Sequence, residues 1–233
     1  MRLFMSLTAL AVLATTPSLA SPASSIHTKW EEHKADRALD HLSIDGQYAM
    51  VDILQAKHIL DSGQTTAALP MLRSATKRLT AAGSARKKFI AAENDLHPAP
   101  QHPLSASHSP AASPVTWVPV GGEFFIGETL APEKQQAVTT ANNQLKAGKN
   151  QQAVQTMRVI GEETDFVVAL APLDQTEKAV SQATLLAKGK QAQKASQALD
   201  QVIDSLVFVS DDDVEKALPT SNHKPATRTH KAG

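Results

Sequence analysis

The pattern of apolar and polar residues along the chain repeats three times. The segments AKHILDSGQTTAALPML, ANNQLKAGKNQQAVQTM and ATLLAKGKQAQKASQAL each place an Ala, a second Ala twelve residues later, and an apolar residue four beyond that. A glycine stands between the two alanines each time, where one helix is expected to end and the next to begin. The spacing therefore predicts three helical hairpins that reverse at Gly63, Gly148 and Gly189, each with a left-handed glycine cap.

Helix-start signals support the hairpins. Ser43, Thr66 and Asn150 precede apolar periodic runs and are predicted N-caps. Near the carboxyl end, SDDDVEKALP places three carboxylates where a short helix should open, as the helix dipole favours. Because this run lacks the alternating acidic spacing of a calcium loop, we interpret it as structural.

Between the first and second hairpins the pattern changes from helical to β-like. In VTWVPVGGEFFIG, the runs VTWVPV and EFFI flank Gly121 and Gly122, which predicts a two-residue β-hairpin around 115–126. Pro119 favours an edge position. The runs FVVAL (166–170) and SLVFV (205–209) are expected to join the same small sheet.

These elements predict a mainly α protein: three antiparallel helical hairpins that form a bundle, with a small β element. A single domain would cover 21–218. It would include a proline-rich crossover at 97–114, where five prolines favour an extended path, and it would be followed by a polar, disordered tail at 219–233.

The first twenty residues, MRLFMSLTALAVLATTPSLA, predict a secretory signal peptide. One Arg precedes an apolar run that is too short to span a bilayer, and small residues lead to cleavage after Ala20. The mature protein is then expected to be periplasmic and not inserted in the membrane. With no Cys in the chain, a disulfide framework and metal–thiolate sites are excluded.

The charge of the chain is balanced. Because the predicted signal peptide contains Arg2 and no acid, 22 basic residues remain against 23 acidic ones. Such a balance predicts no binding to nucleic acid or to anionic membranes. The chain also has none of the usual nucleotide-binding or serine-hydrolase motifs.

The order of these segments resembles one known family. A hairpin containing ILQAKHIL, a proline-rich crossover, WVPVGGEF, a second hairpin, VVALAPLDQT and a third hairpin with ALDQVIDSLVFV together resemble the YfdX family of bacterial secreted proteins, over roughly 43–210. The resemblance implies a largely helical periplasmic protein that is associated with acid and other stress, with a chaperone-like or accessory role. It supplies no catalytic residues to transfer.

The aromatic residues of the β-like stretch are the candidate binding residues. Trp117, Phe124 and Phe125 could form an apolar binding surface, because aromatic side chains dominate recognition. The alternative is that one face of the strand is buried against the helices. Since alternate residues point to opposite faces, Phe124 and Phe125 should differ, and at least one of them is expected in the core.

The nine histidines suggest two interpretations. His97, His102 and His108 lie close together in the crossover, but no helical pair or second ligand accompanies them, so we predict no metal site and no cofactor. A helix over 29–42 would place His33, Asp36, Arg37, Asp40 and His41 on one face, which is expected to be solvated. Alternatively, all nine histidines become protonated as the pH falls below about 5, and the added positive charge changes self-association.

Two function classes remain open. The first is a non-enzymatic stress protein that binds unfolded or envelope proteins, or itself as a homo-oligomer. The second is a small-ligand-binding protein or enzyme whose site lies between the helices and the small sheet.

Overall fold

The computed structural model describes residues 39–111, 113–125, 132–158 and 165–218. In these ranges the chain is mainly helical with a small sheet, as predicted. Its elements are α1 (Ile44–Asp61), α2 (Thr65–Ser84), β1 (Phe89–Ala91), a short 3-10 helix (Glu93–Asp95), β2 (Val115–Phe125), α3 (Pro132–Lys146), α4 (Asn150–Arg158), β3 (Asp165–Pro172), α5 (Leu173–Lys188), α6 (Ala192–Asp204), β4 (Val207–Ser210) and α7 (Asp211–Ala217).

All three predicted hairpins are present. Gly63 and Gly148 have φ angles of +77° and +71°, so the left-handed glycine cap is confirmed at both reversals. The third hairpin differs, because Gly189 has φ −77° and Lys190 takes the left-handed conformation with φ +57°. The prediction of a left-handed cap at Gly189 is therefore wrong by one residue.

The start signals agree in part with the helix boundaries. Ser43 caps α1, and its hydroxyl accepts a hydrogen bond from the amide of Gly46 at 3.1 Å. Thr66 is not a cap, because α2 begins at Thr65 after Gln64. The acidic run does open a short helix, α7, with three aspartates in its first turn.

The sheet contains four antiparallel strands in the order β1-β2-β3-β4. Strand β2 is continuous from Val115 to Phe125, so the predicted hairpin turn at Gly121 and Gly122 is wrong. The physical reason is packing: a Cβ on Gly122 would lie 2.2 Å from the Phe166 ring. Gly122 therefore allows β2 to approach the Phe166 ring closely, and it does not form a turn.

A β-bulge in β2 decides which side chains face the same way. The register shifts between Pro119 and Gly121, which leaves Val120 as an extra residue. Trp117 and Phe124 are seven residues apart and would face opposite sides of a regular strand. Because of the bulge, both belong to one apolar cluster on the same side of the sheet.

The sheet separates two apolar cores. The first core lies between one face and the helices α1, α2, α5 and α6, which pack on one another as two hairpins. The second core lies on the opposite face and includes side chains from α3, α4 and α7. The predicted bundle of three hairpins is thus divided, with the first and third hairpins on one side of the sheet and the second hairpin on the other.

Polar contacts join the second hairpin, formed by α3 and α4, to α1. The side-chain amides of Gln47 and Asn150 exchange two hydrogen bonds, of 3.0 and 2.8 Å. Gly148 at the reversal lies against the ring of Tyr48, where a Cβ would be 3.0 Å from the ring. The left-handed glycine therefore also allows the two elements to approach closely.

Candidate functional site

The proline-rich crossover lies along the outer edge of β4. Pro98 forms a single antiparallel bridge with Val209, and the amide of Ala99 donates to the carbonyl of Phe208 at 2.7 Å. We use the term crossover face for residues 97–111 together with α7 and the ends of β2, β3 and β4 beside them. Histidines, carboxylates and aromatic rings meet on this face.

His102 is held between two aromatic rings. Its imidazole stacks on Phe208, with ring centroids 4.1 Å apart, and meets Phe125 edge-on at 5.2 Å. Its Nε2 atom lies 3.0 Å from the carboxylate of Glu123, which also accepts a 3.2 Å hydrogen bond from Asn142. Packing and hydrogen bonding therefore fix the orientation of this ring.

The side chain of His108 is buried in the crossover, with 4% of its area exposed. Its Nε2 atom lies 2.5 Å from Glu93, and its Nδ1 atom lies 2.8 Å from the carbonyl oxygen of Asp204. Burial alone lowers the pKa of His108, but the Asp204 carbonyl and the Glu93 carboxylate outweigh it and raise the pKa above its ordinary value.

Helix α7 carries two more histidine–carboxylate contacts. His41 Nδ1 lies 2.7 Å from Asp211, and this hydrogen bond raises the pKa of His41. The more exposed His97 lies 4.0 Å from Asp213. The helical face predicted around His41 extends into residues 1–38, which lie outside the described ranges. His41 itself is mostly buried against Asp211 rather than solvated.

A cavity of about 350 Å³ opens beside α7. Phe124, Phe166 and Val167 supply apolar lining, and the crossover forms one wall. Its acidic lining includes Asp165 and Asp212, neither of which has an ion-pair partner among the described residues. The cavity therefore lies between the sheet, a helix and the crossover, and its lining combines apolar and anionic groups.

The three aromatic residues proposed from the sequence as a binding surface occupy different environments. Trp117 and Phe124 are 0% and 2% exposed and belong to the second core, so their side chains are unavailable as an outer surface in this fold. The expectation that at least one aromatic packs in the core is confirmed. Phe125 is only partly buried and stays on the crossover face beside His102.

The sequence alone did not predict that histidines pair with distant carboxylates. His108 and Glu93 are 15 residues apart, and His41 and Asp211 are 170 residues apart, so no local spacing links either pair. A weak signal was present in the crossover, where histidines recur among prolines. That signal identified the segment but gave no indication of its partners.

The described residues include no group of three or more histidine or acidic side chains placed to hold a metal ion. No helix in the described ranges combines the length and the apolar character that crossing a bilayer requires.

A second polar cluster joins α1 to α6. Lys57 donates to Ser196 at 3.0 Å and forms ion pairs with Asp61 and Asp200, both at 3.1 Å. Ser196 also donates to Asp61, which lowers the pKa of that carboxylate. Burial alone lowers the pKa of Lys57, but its two carboxylate partners raise it overall, so Lys57 stays charged and cannot act as a base. The cluster therefore fastens two helices together.

The fold just described is a divided set of helical hairpins around a four-stranded antiparallel sheet. The family model for YfdX protein matches residues 49–212, and the chain therefore belongs to the YfdX family. The chain is also similar to a solved crystal structure of Salmonella Typhi YfdX, with 22% sequence identity. The match covers 72% of this chain and 90% of that chain, with a TM-score of 0.44. No curated protein matches the sequence.

Proposed function

We propose that the protein is a non-enzymatic periplasmic stress-response protein with a chaperone-like or accessory binding role, and that the crossover face is its binding surface. One observation carries this assignment: on the crossover face the partly buried rings of Phe125 and Phe208 meet at His102, with ring centroids 5.2 and 4.1 Å from the imidazole, beside the carboxylate of Glu123. Partly exposed apolar groups next to carboxylates suit a polypeptide with apolar and basic residues.

The test is suppression of aggregation of an unfolded model client, measured by light scattering at several pH values. Phe125→Ser should weaken suppression, because it removes an apolar ring from the crossover face. The matched control is Leu185→Ser, which removes an apolar side chain that is 66% exposed on α5. If the wild-type protein suppresses no aggregation at any pH, the chaperone-like role is wrong. If both variants lose the same activity, the location is wrong.

The cavity favours a second candidate, a small-ligand-binding protein or an enzyme with a site between a helix and the sheet. Carboxylates beside aromatic rings would suit a small organic cation. Calorimetry with phenethylamine tests this, with phenylethanol as the uncharged comparison. Binding that survives Asp165→Asn combined with Asp212→Asn would exclude this site.

Localisation and assembly are further parts of the proposal. Export with cleavage after Ala20 predicts that the mature amino terminus is Ser21, which mass spectrometry of the periplasmic fraction would show. The proposed homo-oligomer predicts a mass in light scattering that is a multiple of the mature chain. Identical oligomer size at about pH 7 and about pH 4.5 would argue against regulation of assembly by histidine protonation.

A further inference from the structure

We propose that Glu93 and His108 form a proton-dependent clamp that holds the crossover closed in mildly acidic solution and releases it in alkaline solution. The clamp is a property of the fold and does not depend on the proposed function. Its two residues lie on separate segments: Glu93 opens the short 3-10 helix, and His108 lies near the far end of the crossover.

The hydrogen-bond partners of His108 determine where its protons must be. The carbonyl oxygen of Asp204 can only accept, so the Nδ1 atom that lies 2.8 Å away carries hydrogen. On the other side of the ring, Nε2 and a Glu93 oxygen are 2.5 Å apart, and one proton must lie between them. Without that proton, a ring lone pair faces a carboxylate and the contact becomes repulsive.

The second oxygen of Glu93 attaches the end of the crossover to the 3-10 helix. It accepts a 2.8 Å hydrogen bond from the backbone amide of Ala111. Both side chains are buried, with 4% of His108 and 8% of Glu93 exposed, so water screens their attraction weakly. One carboxylate therefore fastens two points of the crossover, and both depend on the state of the same pair.

The charged groups around His108 all favour its protonated form. Glu93 faces it from the 3-10 helix and Asp204 faces it from the end of α6. The Asp204 carboxylate itself accepts a 3.1 Å hydrogen bond from Ser105 of the crossover. The raised pKa of His108 agrees with this geometry, since a raised pKa gives stability that is complete below about pH 6.5 and is lost as pH rises through the folded value.

Opening of the crossover would expose one strand edge and one aromatic ring that it covers in the closed state. Residues 98 and 99 contact the outer edge of β4, and His102 lies on Phe208. If the crossover face binds polypeptides, as proposed above, the clamp would regulate that binding.

Hydrogen exchange of the Ala111 amide measures the clamp directly, because that amide donates to Glu93. The experiment compares exchange at about pH 6 and about pH 8.5, corrected for the intrinsic rate at each pH. In the wild-type protein, protection should fall about tenfold or more at the higher pH, as expected for loss of a charge-assisted hydrogen bond. His97→Gln is the matched control in the same segment and should retain the full pH dependence, because 84% of the His97 side chain is exposed.

Two variants should differ from the wild type in distinct ways: Glu93→Gln should reverse the pH dependence, and His108→Gln should abolish it. Glu93→Gln presents an amide donor to neutral His108 and an oxygen to Ala111, so its protection should be higher at about pH 8.5 than at about pH 6. His108→Gln cannot titrate and should show no pH dependence. The clamp is overturned if Glu93→Gln keeps the wild-type direction, or if His108→Gln keeps the wild-type pH dependence.

Discussion

At the scale of single residues, carboxylates position the histidines of this protein. His41, His102 and His108 each have a ring nitrogen within 3.0 Å of an Asp or Glu. Protonation of such a ring adds a positive charge beside a negative one, so the local charge is compensated. The expectation that acid simply adds nine positive charges to a neutral surface therefore overlooks the pairing in the fold.

The His41–Asp211 pair predicts a pH dependence of stability. Because the Asp211 hydrogen bond raises the pKa of His41, the pair contributes fully below about pH 6.5, and the contribution is lost as pH rises through the raised value. His41→Gln should remove this part of the pH dependence, about 0.5 kcal/mol after allowance for partial exposure. Urea unfolding at about pH 6 and about pH 8.5 measures it.

His58→Gln is the control for that comparison. His58 is exposed on α1, so its replacement should leave the pH profile of stability close to that of the wild type. Equal profiles for His41→Gln and the wild type would show that the His41–Asp211 pair contributes nothing measurable.

Asn142 predicts a large effect of a single amide. The buried side chain accepts from the amide of Phe124 at 2.8 Å and donates to its carbonyl at 3.1 Å, as a neighbouring strand would. Asn142→Ala should lower the free energy of unfolding by about 2–3 kcal/mol, since two backbone groups of β2 lose their partner. Asn143→Ala, at an exposed position of the same helix, should change it by less than about 0.5 kcal/mol. A similar loss in both variants would contradict this role for Asn142.

At the scale of elements, the two glycines of β2 have different tasks. A Cβ on Gly121 would meet nothing within 4 Å, whereas a Cβ on Gly122 would overlap the Phe166 ring and lie 2.8 Å from the Val167 carbonyl. The strand therefore needs glycine at one of the two positions only. In the sequence, Gly121 and Gly122 together resemble a turn signal, and no local feature distinguishes one from the other.

Alanine substitutions separate these two roles. Gly122→Ala should destabilise the protein by about 1–3 kcal/mol, because Phe166 or the strand backbone must move. Gly121→Ala should be neutral or slightly stabilising. Thermal unfolding followed by circular dichroism measures both variants. If Gly121→Ala is as harmful as Gly122→Ala, the close approach to Phe166 is not the reason for the glycine.

The helical hairpins were predictable because their signals are local. Alanine spacing and a glycine at each reversal depend on residues within one segment, and Gly63 and Gly148 lie where predicted. The three-residue strand β1 gave no such signal, because a strand this short is defined by its partner Trp117 and its neighbours. The bulge at Val120 was equally hidden, since only pairing with β3 reveals the extra residue.

The candidate site was predictable only in part. The crossover was identifiable from its prolines and histidines, whereas its attachment points come from β4, α6 and the 3-10 helix. Phe125 could be proposed as partly exposed from strand alternation. The burial of Trp117 could not be predicted in the same way, because the bulge changes which face it shares.

At the scale of the whole molecule, the sheet contributes one face to each of two cores. Val118 and Ala171 face the first core, while Val168 and Leu170 face the second. Neither core can lose its strands without exposing the other. The protein should therefore unfold in one cooperative step, although its hairpins lie on opposite sides of the sheet.

Core substitutions on both sides test this cooperativity. Leu79→Ala in the first core should lower stability by about 2–5 kcal/mol, because the side chain is almost completely buried. Val168→Ala in the second core should lower it by about 1.5–3 kcal/mol, because valine loses fewer buried atoms. Circular dichroism and tryptophan fluorescence should give the same urea midpoint in each variant. Separate midpoints for the two probes would show that the cores unfold independently.

The attachment of Glu93 to Ala111 has a practical consequence for engineering. The Glu93 side chain closes the loop that runs from Glu93 to Ala111. Residues inserted in the exposed part of this loop near Ala106 would therefore lengthen the closed loop without changing the strand register. Loop-closure entropy grows by only about 0.6 kcal/mol for each doubling of length. In a chain without cysteine, a thiol introduced near Ala106 would give a single labelling position for following the crossover by fluorescence.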